Sequence, residues 1–248
     1  MKMPSLRLGM ITAVVYAAII AFATFYLFVL RGEPVNLRTA LLALLPVQIV
    51  VVVFTVAVVL RFADWRMVGF ARMQWSGMLW FLPSWVIVAV MGWTIFHALT
   101  PEHIGAFGAY GITLLILTTL LIAFGEEVIF RGILLRGAMT RFSIAVAMFM
   151  SALSFGLFHF INRLAGQGLS ETSQQIFFAL LVGFFLAPIA IRVGNLWPLI
   201  IWHWLWNIAV ILGQVTAVLH PFVLTGMAIQ AVIAIWLWAD MIRTARAY

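Results

Sequence analysis

The 248-residue chain contains no cysteine. That excludes disulfides, thiolate metal ligands and a cysteine nucleophile, and leaves the redox compartment unread. Charge is almost as scarce: 8% of residues are charged and 66% are hydrophobic, whereas a soluble domain carries about 25% charged residues. So few polar groups cannot cover a surface in water. The solvent must be lipid, and the chain reads as an all-α, polytopic integral membrane protein. Acids are the scarcest class, seven against fourteen Lys and Arg, for a net charge of +7. In a soluble protein this balance would point to nucleic acid. Here the arginines fall mostly at the ends of apolar runs, where they set topology, so no nucleic-acid partner is implied and membrane lipid is the expected one. Two signatures are also missing, H-E-x-x-H and G-x-S-x-G. Ser154 stands near His159, but no acid is placed to complete a serine triad. No inverted repeat of the kind many transporters carry is visible.

What is present is a series of about eight apolar runs, each about long enough to cross a bilayer. They cover roughly 9–30, 39–60, 77–99, 109–135, 143–160, 176–193, 196–219 and 221–241. The first holds Ala21-Phe22-Ala23, which imitates a signal-peptidase site, but the run continues to Leu30 and reads as an uncleaved helix. Loops are expected at 31–38, 100–108 and 162–175, the last being the most polar stretch of the chain. Between 61 and 72, arginines alternate with aromatic and aliphatic residues, which suits either a helix lying in the interface or a wet loop with Trp anchors. Eight spans put both termini on one side. That side holds Lys2, Arg7, Arg61, Arg66, Arg72, Arg136, Arg141, Arg192, Arg243 and Arg246, against Arg31, Arg38 and Arg163 opposite. The bias places the termini in the cytoplasm. Residues 1–248 are expected to form one transmembrane domain.

Into the fourth run are set Glu126, Glu127 and Arg131. Each charge near the bilayer centre costs about 2.5–3.5 kcal/mol on insertion scales, so an ionisable cluster there marks a functional site. On a helix Glu127 and Arg131 are neighbours at i and i+4, while Glu126 lies about 100° round from Glu127. One carboxylate can therefore be held by the arginine while the other stays free. A carboxylate withdrawn from water beside a like charge holds a proton more tightly, which makes a useful general base near neutral pH. The bland alternative is a buried ion pair with a spare glutamate, although stability alone does not favour buried charge.

Two further polar patches follow. His159 closes Phe155-Gly156-Leu157-Phe158-His159, and a lone histidine in an apolar helix is usually a satisfied core residue. Yet the turn between the fourth and fifth runs falls near residue 142, so Glu126 before it and His159 after it stand at matching height in an antiparallel hairpin. His203 and Asn207 share one stripe of the seventh run at i and i+4. Such a pair suits either a developing oxyanion or interhelical hydrogen bonding. Trp202, Trp204 and Trp206 beside them serve packing or the interface. His97, His103 and His220 lie near helix ends or in loops and read as interfacial. One count does not close: His159 falls near the outer end of its run and His203 near the inner start of its own. Some helix must tilt or overrun the bilayer, or a loop must dip inward.

Glu126-Glu127-x-x-x-Arg131, then Phe155-x-x-x-His159, then His203-x-x-x-Asn207, in that order on membrane helices, resembles the CPBP (CAAX protease and bacteriocin-processing, or Abi) family. That family includes the Ras-converting CAAX prenyl endopeptidase. The resemblance covers roughly 115–212. It implies an intramembrane endopeptidase acting on a peptide or membrane-protein substrate. Glu126 and His159 would activate water, His203 and Asn207 would stabilise the oxyanion, and Glu127 with Arg131 would hold the acidic helix. No cofactor is required by this reading. The family has also been described as metalloproteases, and Glu126, His159 and His203 would form the alternative zinc shell. A proton-coupled transporter and a non-catalytic immunity or scaffold protein are the competing classes.

Overall fold

The computed structural model describes residues 1–32, 37–218 and 220–246. Of the loop expected over 31–38, residues 33–36 lie outside the described residues, as does the side chain of His220. Among the described residues eight helices are long and apolar enough to cross a membrane: α1 (Leu6–Leu30), α2 (Ala40–Phe62), α3 (Trp75–Ala98), α4 (Pro101–Met139), α5 (Ile144–Ala165), α6 (Leu169–Val193), α7 (Trp197–Thr216) and α8 (Phe222–Thr244). Among the described residues there is no strand, only an isolated bridge between Phe70 and Asn195. Large apolar side chains such as Trp75, Leu79, Trp93 and Phe96 face outward, as a lipid-solvated surface requires. The protein is an all-α polytopic membrane protein.

Two loop expectations are corrected and one alternative is decided. Residues 100–108 are not an open loop: Pro101 begins a helix capped by Thr100, whose hydroxyl accepts from the His103 N–H. The helix breaks at Gly108, where φ is +61°, a conformation that costs glycine nothing. At 39 residues, α4 would reach about 58 Å if straight, well beyond a core of about 30 Å, and the break lets its first turns leave the axis. The polar stretch 162–175 is mostly helical too. A tight turn of helix, His159–Ala165, ends at Gly166, and α6 begins at Leu169, seven residues before the apolar run does. Polarity there marks helix ends projecting beyond the lipid, not absence of helix. The segment after Phe62 turns repeatedly rather than forming an interfacial helix, so the loop alternative holds, though with Ala63 and Val68 buried rather than wet.

That segment matters because it dips inward with the turn 194–196. The Leu196 N–H donates to the Gly69 carbonyl at 2.8 Å, the Gln74 N–H to the Val193 carbonyl at 2.8 Å, and the Asn195 amide to the Ala71 carbonyl at 2.7 Å. Both pieces press on Gly132, where an added Cβ would lie 2.9 Å from the Val68 carbonyl oxygen and 3.3 Å from Leu196 Cδ1. Leu196 is thus level with Gly132, two turns inside the end of α4. This closes the open count. Moving outward, Glu126 is six residues from Gly132 and His203 seven from Leu196, so antiparallel helices bring them to one height.

Candidate active site

The backbone of α4 changes pitch where the charges begin. Glu127–Leu134 is π-helical, and every residue of that turn is buried. Such wide turns are rare and gather at functional sites. The Phe130 carbonyl there receives a bond from the Ser151 hydroxyl at 2.8 Å, donated by α5. That contact fixes the distorted turn against its neighbour.

Glu127 and Arg131 have no exposed surface. Glu127 Oε1 accepts from Arg131 Nη1 at 3.1 Å and from His203 Nδ1 at 2.9 Å. A carboxylate can only accept here, so Nδ1 carries the hydrogen and the imidazole is locked in orientation. His203 Nε2 is left facing Glu126, 3.7 Å from its Oε2. One imidazole therefore touches both carboxylates. Glu126 is 5% exposed and has no hydrogen-bond donor among the described residues. Charge balance is local: Arg131 offsets one glutamate, and His203, when protonated, offsets the other.

The Phe155 ring is the hub on the far side. The Arg131 guanidinium lies over it at 4.0 Å from the centroid, a cation–π contact worth about 2 kcal/mol when desolvated. The His203 and His159 rings meet it edge-on at 5.9 and 5.0 Å. His159 Nδ1 stands 2.9 Å from the Phe155 carbonyl. A carbonyl only accepts, so the hydrogen is again on Nδ1 and Nε2 is free for chemistry. His159 thus joins the cluster through Phe155, and among the described residues no hydrogen bond links it to Glu126. Asn207 lies one turn beyond His203, half-buried and with no hydrogen bond among the described residues.

The remaining polar residues settle as packing. Trp202 is fully buried and donates to the Ser84 carbonyl at 3.1 Å, while Trp204 donates to the Ile116 carbonyl at 3.0 Å. His97 packs on Trp93 and Phe96. Sequence reasoning gave Phe155 no role of its own and overlooked Ser151. Only the serine left a trace, a hydroxyl in an apolar run. Among the described residues no three His, Cys, Asp or Glu side chains are gathered to hold a metal. Glu126 and His203 approach each other, while His159 is bound to the Phe155 carbonyl.

Residues 108–209 match the family model described as Type II CAAX prenyl endopeptidase Rce1-like, and all six candidate residues fall within them. No curated protein and no solved structure matches the chain. The segment that carries this buried cluster is thus similar to the Rce1-like CAAX prenyl endopeptidase family.

Proposed function

We propose that this protein is an intramembrane endopeptidase in which Glu126 takes a proton from water as that water attacks a peptide carbonyl. One observation carries the reading: of two adjacent buried carboxylates, Glu127 is doubly engaged and Glu126 has no donor. A lone pair already committed to a guanidinium and an imidazole is a poor base. The unengaged one is available to a proton. Glu127 and Arg131 then act as positioning residues that aim His203.

With Nδ1–H spent on Glu127, His203 meets the substrate through Nε2. Protonated, it donates to the oxygen on which charge develops, and the Asn207 amide adds a second donor. Such donors act strongly in a water-poor site because little reorganisation is needed. The tetrahedral carbon collapses by breaking its C–N bond. The departing amine takes the proton that water gave up, from Glu126 directly or by way of His159 Nε2. Products are one carboxylic acid and one amine, and the protein is unchanged. The substrate class is a peptide or membrane protein presented at the bilayer, with the termini side cytoplasmic.

The test uses purified protein in liposomes with a membrane-anchored reporter peptide, with and without chelator. Glu126→Gln keeps the shape and removes the base. Turnover should fall by at least about 10²-fold, with a thermal midpoint at or above that of wild type because no hydrogen bond is lost. Retained turnover would sink the reading. Loss of wild-type turnover in chelator, restored by zinc, would replace the free-glutamate step with metal chemistry.

A further inference from the structure

Tyr16 lies on α1, outside the family-matched segment, and has no place in the site described so far. It is fully buried, and its hydroxyl has no hydrogen-bond partner among the described residues. An unpaired buried hydroxyl is costly and rare. Its ring packs edge-on to Phe130 at 6.4 Å and tilted against Phe158 at 5.6 Å, so both neighbours belong to the elements that carry Glu127, Arg131 and His159. The hydroxyl points at Gly125: a Cβ there would stand 2.9 Å from Tyr16 Oη. The next residue along the helix is Glu126.

The seam between the two helices makes this placement firm. A Cβ on Gly137 would lie 2.5 Å from the Ser5 carbonyl oxygen, and one on Gly9 would lie 2.8 Å from Leu134 Cα. Ser5 faces Gly137, Gly9 faces Leu134 and Tyr16 faces Gly125, a steady antiparallel register with backbones in contact. A phenol donor without an acceptor therefore sits against the backbone of the residue that precedes a carboxylate acceptor without a donor.

We propose that Tyr16 is a positioning residue of the active site, its hydroxyl and the Glu126 carboxylate together holding the water that is activated. The catalytic part of this rests on the protease reading; the juxtaposition does not. No bond is made or broken by the phenol. It donates one hydrogen bond to the water oxygen or the carboxylate and retains its proton throughout.

Two measurements on the full-length protein test it. In the first, Tyr16→Phe deletes one oxygen. Because that oxygen is unpaired, the thermal midpoint should hold or rise, while kcat falls roughly tenfold or more with KM little changed. A merely structural tyrosine would instead lower the midpoint and spare kcat, which overturns the proposal. In the second, the four tyrosines are replaced biosynthetically with 3-fluorotyrosine, and the Tyr16 resonance is assigned by its loss in Tyr16→Phe. Glu126→Gln should shift that fluorine signal and leave the other three in place; an unmoved signal overturns the juxtaposition. If wild type cleaves nothing, the protease reading fails alone, because the fluorine measurement needs no turnover.

Discussion

Replacing Arg131 with methionine exposes how the cluster is held. The side chains are similar in length and the site is fully enclosed, so shape changes little and charge changes completely. Glu127 would lose its bond from Nη1 at 3.1 Å and keep only the one from His203. Breaking one side of a buried ion pair costs about 3–5 kcal/mol. The contact over Phe155 adds up to about 2 kcal/mol. Against this, Nε and Nη2 of Arg131 have no partner among the described residues, and deleting them recovers part of the loss. The net is about 3–5 kcal/mol, which for a chain of this size lowers Tm by on the order of 10 °C. Thermal unfolding in one detergent, followed by circular dichroism at a fixed scan rate, measures it. Adding Glu127→Gln to Arg131→Met removes the stranded charge while leaving an oxygen for His203. The double variant should therefore melt above the single one, a coupling that additive losses cannot produce. If Arg131→Met melts within about 2 °C of wild type, the charge is not held as described.

Two further outcomes are expected. In Gly77→Ala the new Cβ would stand 2.5 Å from the Arg192 carbonyl oxygen, whereas at Gly92 nothing lies within 4 Å. Thermal melts should show Gly77→Ala destabilised by about 1–3 kcal/mol and Gly92→Ala unchanged or stabilised by up to about 1 kcal/mol. Equal midpoints would contradict the close packing of α3 on α6. The absence of cysteine gives a silent background for topology. With the termini in the cytoplasm, an impermeant maleimide applied to intact cells labels Glu102→Cys and spares Thr140→Cys, and the opposite pattern reverses the orientation.

Reading the letters alone located the membrane helices well, because a span needs only a long enough apolar run to be visible. The last three runs, for example, begin or end within a few residues of α6–α8 except at the start of α6. There and at Pro101 the polar residues were mistaken for loop. Helix propensity continues past the hydrocarbon edge, and hydropathy does not register it. The acidic triplet was legible for a related reason: charge in lipid is expensive, so Glu126, Glu127 and Arg131 stood out against their run.

Sequence by itself determined the eight-span architecture, the buried charges and the family resemblance of residues 108–209, because each is written in local spacing and composition. Tertiary structure alone decided which glutamate is engaged. Spacing paired Glu127 with Arg131, but nothing along the chain announces that His203, 76 residues later, donates to the same oxygen. It also decided the height of α7, set by the turn at 194–196 tucked against Gly132, and the approach of Tyr16 to Gly125. These depend on where helix backbones touch. That is fixed by side-chain volume at contacts between distant segments, information no single helix contains.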